Sequence, residues 1–201
     1  MTIRSDHFEP HNMTLHEYFE MCKKNWTTTP DIGLSQAPDK FASTSKILLM
    51  QTKQLDGFNV VGMSFRMKND TDASSKFAAA WQQFMTSGLK DRIQNRVNDA
   101  IYALYTNYES DHQGPYDMIL GYRVDGEIVL PEGAVVHAVP TNSYKIYTAT
   151  GDMTQGALYD AWMKVWKSDI PRLYQTDFEL HDERAMNPKD GTVDIYVSVA
   201  S

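Results

Sequence analysis

Cysteine is almost missing from this chain: Cys22 is the single thiol in 201 residues. One cysteine excludes an intrachain disulfide and any cysteine-based zinc spacing. Long apolar runs are missing too. None approaches the roughly 18 residues that a membrane span needs, and the opening MTIRSDHFEPHN lacks the apolar stretch of a secretory signal. Positive charge is scarce. Nineteen Lys and Arg stand against twenty-six Asp and Glu, a formal charge of −7, whereas a phosphate-backbone binder concentrates its cations. The expectation is a soluble cytoplasmic protein in a reducing compartment, with no DNA bound through this chain and no membrane. P-loop, dinucleotide, HExxH and G-x-S-x-G patterns are absent, so the six histidines imply no metal site and no cofactor is expected. What the chain has in quantity is rings: 11% aromatic, with eleven Tyr and four Trp. Rings in that number pack a core, line a pocket, or both.

Residues 1–55 form a neutral segment, with six Lys/Arg and six Asp/Glu, so the rest of the chain carries the whole −7. Thr14 and Glu17 have capping-box spacing, and Leu15, Tyr18, Phe19 and Cys22 then share one helical face. After Trp26 comes TTTPDIGLSQAPDKFASTS, which reads as a linker. The organisation expected is therefore an N-terminal appendage, 1–55, with one helix and a linker, followed by a domain, 56–201. One helix without net charge does not make a helix-turn-helix reader.

Beyond it the periodicity alternates between strand and helix. Phe58–Met67 reads as a strand. Asp72 then caps a helix with Phe77, Ala80, Trp81, Phe84 and Met85 on one face, stopped near Gly88. Strands at 101–109 and 116–124 flank the turn SDHQGP. The order then repeats. Residues 134–150 are strand-like but broken by Pro140 and Asn142. Thr154 caps a second helix bounded by Pro171, and strands follow at 176–183 and 192–199. Ala80-Trp81-Gln-Gln-Phe84 echoes Ala161-Trp162-Met-Lys-Val165 in the same slot of the two patterns. A duplicated βαββ unit follows, giving an α+β fold with one antiparallel sheet and two helices against it.

The segment Ile101-Tyr-Ala-Leu-Tyr-Thr-Asn-Tyr-Glu-Ser-Asp111, then Gly114-Pro-Tyr116 and Ile119-Leu-Gly121, resembles the GyrI-like (gyrase-inhibitor-like) bacterial effector-binding domain family. Leu130-Pro-Glu-Gly133, Tyr144-Lys-Ile-Tyr147, Trp162-Met-Lys-Val-Trp166, Phe178-Glu179 and Val193-Asp-Ile-Tyr-Val-Ser198 continue the resemblance, which runs over about residues 58–200 and is strongest to the stand-alone branch. It implies a SOUL-like/GyrI-like fold with a groove between the helices and the sheet. Such a groove takes amphipathic, often cationic, small organic molecules between aromatic walls, over a glutamate that corresponds to Glu179. The family often has Gly at the position of Ala103 and an aromatic at that of His181.

Strand alternation alone puts Asp177, Glu179, His181 and Glu183 on one face, which reads as solvated; the resemblance makes Glu179 a groove carboxylate. A bound cation would offset the cost of burying it. Tyr102 and Tyr105 lie three apart and so point to opposite faces, which allows one of them to line the groove directly. Trp81 and Trp162 hold equivalent helical slots at core spacing; Trp81 and Trp166 are the wall candidates. Tyr147 offers a phenol to a ligand. Two other functions use the same chain. A hydrolase of strained cyclopropanoid electrophiles, as the family also implies, would use Glu179 as general base and Tyr105 or Tyr147 as oxyanion donor. An inhibitor-like module would instead present the acidic surface to a protein partner.

Overall fold

The computed structural model describes residues 52–200. The helix read over Thr14–Cys22, its linker, and His7, His11 and His16 lie outside the described residues. The strands are β1 (Thr52–Leu55), β2 (Phe58–Met67), β3 (Arg96–Thr106), β4 (Tyr116–Val124), β5 (Val135–Val139), β6 (Asn142–Gly151), β7 (Thr176–His181) and β8 (Gly191–Val199). Helix α1 (Ala73–Thr86) and the single turn α2 (Leu89–Arg92) separate β2 from β3, and α3 (Ala157–Lys167) separates β6 from β7. No helix of the described residues is long and apolar enough to cross a membrane.

All eight strands join one antiparallel sheet in the order β1-β6-β8-β7-β3-β4-β2-β5. Outward from the central β7·β3 pair, β7-β8-β6 on one side matches β3-β4-β2 on the other. The duplication expected from the sequence is therefore present as two βαββ units meeting along β3 and β7. Two strands lie outside that scheme. Residues 52–55, read from the sequence as the end of the appendage, form β1 and pair with β6 of the second unit. β5 precedes the second unit and pairs with β2 of the first.

This exchange curls the sheet. β1 and β2 stand six strand spacings apart in the sheet order, about 29 Å if the sheet were flat. Only Asp56 and Gly57 join them, and such a link spans about 11 Å at most. The edges must therefore approach one another. The β1–β2 link meets the β5–β6 link, where Gly57 N donates to Thr141 Oγ1 at 2.9 Å. His137 of β5 lies 3.1 Å from Thr176 Oγ1 of β7, four strands away in the order. That contact lies on the face opposite the helices, so that face is concave.

Both faces are packed. Under α1, Phe77, Trp81 and Phe84 meet Val61, Tyr105, Met118, Leu120 and Tyr122, and under α3, Ala161 and Val165 meet Tyr147, Val193, Ile195 and Val197. The concave face holds Val60, Tyr102, Leu104, Ile119, Val139, Tyr144 and Phe178. Gly62 lies opposite Gly121 across β2 and β4, so closely that a Cβ on Gly62 would sit 2.1 Å from the Leu120 carbonyl oxygen.

Local details correct the sequence reading. The broken stretch 134–150 is two strands, because β5 departs to pair with β2. β3 begins at Arg96, with an irregular register before Ile101. β7 stops at His181, leaving Glu183 in a 3-10 turn. Asp72 precedes α1 but its side chain accepts no cap bond. Thr154 does not cap α3: its backbone N–H donates to Asp152 Oδ1 at 2.8 Å in a 3-10 turn, and α3 starts after Gly156, whose φ is +99°. Gly88 does follow the end of α1, at a φ of +64°.

Candidate ligand-binding site

The central pair β3·β7 carries the chemistry. Glu179 lies opposite the buried Ala103. α3 lies over it, and Glu179 is only 3% exposed. The solvated face read from alternation is overturned at this point, because alternation describes a strand and not the helix lying across it. Three donors surround the carboxylate. Tyr105 Oη donates to Oε1 at 2.9 Å, Trp162 Nε1 donates to the same oxygen at 2.6 Å, and His181 Nε2 lies 2.8 Å from Oε2. Such bonds offset part of the cost of burying a carboxylate. The Trp81 ring stands edge-on to His181 at 5.1 Å, so α1 supports the group from the other side.

Two files of rings lead away from Glu179. Along the sheet, Tyr105 contacts Tyr116 at 5.9 Å, and Tyr116 contacts Tyr108 at 5.4 Å. Along α3, Trp162 contacts Trp166 at 6.0 Å, and Trp166 stacks on His112 at 5.5 Å with 13° between planes. Tyr105 and Trp162 meet edge to face at 5.3 Å, which closes the files together at the glutamate. Burial raises the Tyr116 phenol pKa, with the negative charge of Glu179 adding to it. Asn69 Oδ1 accepts the proton of Tyr116 at 2.7 Å, so that phenol is held neutral.

The profile of the family described as Cass2, integron-associated effector binding protein, matches residues 51–199. The chain belongs to this family. An integron cassette protein from the mobile metagenome of Vibrio cholerae is 30% identical, covering 75% of this chain and 95% of its own, with a TM-score of 0.58. The presumed transcriptional regulator YobU of Bacillus subtilis (strain 168) is 26% identical over 150 residues, which is 72% of this chain and 94% of that protein. SAV2435, solved bound to tetraphenylphosphonium, shares the fold at 17% identity and a TM-score of 0.61, with 76% of this chain and 94% of that one covered. The GyrI-like resemblance seen in the sequence is thus confirmed at the level of family and fold.

Within this effector-binding domain the sequence candidates separate. Glu179, Tyr105 and Trp166 come together with Trp162, and Trp81 reaches the group through His181. Tyr102 points to the concave face, where it packs with Phe58 and Phe178. Tyr147 is buried beneath α3, and its hydroxyl donates to Ser168 Oγ at 3.2 Å rather than to Glu179. Sequence reasoning missed Trp162 and His181 as partners of the carboxylate. Each had a signal: Trp162 occupies the repeat slot of Trp81, and His181 is two residues from Glu179 on the same strand face.

Proposed function

We propose that this effector-binding domain takes amphipathic organic cations between its two ring files, with Glu179 as the counter-charge. The observation that carries the reading is a carboxylate 3% exposed, hydrogen-bonded by Tyr105, Trp162 and His181 and faced by aromatic rings. A lipophilic cation brings apolar surface to the rings and charge to the acid, and cation–π contact contributes up to about 2 kcal/mol when desolvated. Family membership supports small-molecule binding, and the tetraphenylphosphonium held by SAV2435 is a molecule of this class.

The test is a thermal-shift titration of wild type and Glu179→Gln with tetraphenylphosphonium and with a neutral aromatic of similar size. A ligand that binds the folded state raises Tm by mass action. The wild type is expected to gain stability from the cation, and the variant to lose at least about tenfold in cation affinity while its response to the neutral compound is unchanged. Equal cation affinity in both proteins would remove Glu179 from the function.

A further inference from the structure

A second buried carboxylate lies two residues from Glu179. Asp177 is fully buried, and its Oδ1 accepts from Ser198 N at 2.7 Å and Ser198 Oγ at 2.8 Å. Its Oδ2 accepts from Arg172 Nη2 at 2.7 Å and from Tyr108 Oη at 3.3 Å. Asp177 is therefore fully satisfied. Arg172 is not. Its side chain is 4% exposed and spends one nitrogen on Asp177, while Nε and Nη1 are buried without a hydrogen-bond partner among the described residues. The guanidinium lies over the Tyr174 ring at 4.3 Å, a contact that supplies no acceptor. His112, close enough for its charge to interact with Arg172, also buries an Nδ1 without a partner among the described residues.

Unpaired buried donors are costly, those on a charged group most of all. These stand at the far end of the ring files: Tyr108 of the sheet file bonds Asp177, and His112 ends the α3 file. The two β7 carboxylates are about 7 Å apart along the strand, so the files run from an acid at Glu179 to a guanidinium at Arg172. We infer that the site is dipolar, and that Arg172 with His112 receives an acceptor group, such as a carboxylate, on a ligand whose cation sits at Glu179. The ligand class is then an aromatic zwitterion, or a cation bearing an acceptor about 7 Å beyond its charge. This inference rests on the cation reading above and adds its second pole.

The matched probes are rhodamine B, a zwitterion at neutral pH, and rhodamine B ethyl ester, the cation alone, each titrated by fluorescence anisotropy. Wild type is expected to prefer the zwitterion by about tenfold. Arg172→Lys keeps a charge beside Asp177 but deletes the guanidinium donors, and His112→Phe keeps the stack on Trp166 but deletes Nδ1. Both variants should lose the preference for the zwitterion, whereas Glu179→Gln should weaken both probes. Circular dichroism checks folding, and if Arg172→Lys does not fold, His112→Phe decides. No preference in wild type, or a preference that survives the variants, overturns the second pole and leaves the cation reading intact. Failure of wild type to bind either probe overturns both.

Discussion

His181 is the residue that the proposed ligand cation would displace. Its Nε2 faces Glu179 Oε2 at 2.8 Å, the position a ligand cation would take. On the proposed reading, imidazole and ligand would compete for one oxygen. Replacing His181 with Phe removes the competitor and keeps a ring beside Trp81. Ligand-free stability should fall by about 1–3 kcal/mol, because a buried oxygen loses its partner, while tetraphenylphosphonium should bind several-fold more tightly. Thermal melts and a calorimetric titration read the two effects separately; weaker binding would show that the imidazole belongs to the ligand's own wall. At this scale the sequence was half legible. The identity of Glu179 came from a family resemblance, since alternation placed it in solvent. Its burial depends on Trp162, Tyr105 and the helix above, all set by tertiary packing that no local pattern in Asp177–Glu183 records.

Among the elements, β2 and β4 approach closely because neither Gly62 nor Gly121 has a side chain where they face each other. A Cβ on Gly121 would fall 2.3 Å from the Val61 carbonyl oxygen, which is backbone and cannot swing aside. Gly121→Ala should therefore destabilise the domain by at least about 2 kcal/mol, seen as a lower urea midpoint with an unchanged slope. Ala at Gly126, which has open space but a φ of +74°, should cost only about 1 kcal/mol. A Gly121→Ala midpoint equal to wild type would mean that the strands part at no cost. Strand and helix periodicity made the βαββ duplication readable, and the Trp81/Trp162 echo supported it. The division at Pro140–Asn142 was visible only as a defect in one strand. What the defect means depends on β2, some eighty residues earlier, and such a pairing leaves no mark on nearby sequence.

For the molecule as a whole, buried phenols set the alkaline limit. Burial pushes Tyr122 and Tyr144 up to about 12, and raises Tyr108 and Tyr116 as well, with the charges of Asp177 and Glu179 adding to the last two. Unfolded tyrosines ionise near their ordinary value of about 10. Above that pH the unfolded chain binds fewer protons than the native one, so stability is present below pH 10 and declines as pH rises. His112 and His137 act at the other end. Burial lowers both, so the unfolded chain binds more protons as pH falls below about 6.5, and stability declines there too. Melting temperature against pH should show a plateau near neutrality with a steeper alkaline side, and absorbance at 295 nm should show phenols that ionise only on unfolding. A Tm that stays flat from pH 9 to 11 would contradict this.

The exchanged strands also set a timetable for the protein's synthesis. β1 is among the earliest parts of the domain to leave the ribosome, yet its partners are residues 142–145 of β6. β2 must likewise wait for β5 to cover its outer edge. The first unit can form α1 and the β2–β4–β3 ladder as it emerges, but it does so with two open edges, β2 awaiting β5 and β3 awaiting β7. A nascent chain halted after β4 would therefore expose unpaired strands that invite a neighbouring nascent chain to pair with them.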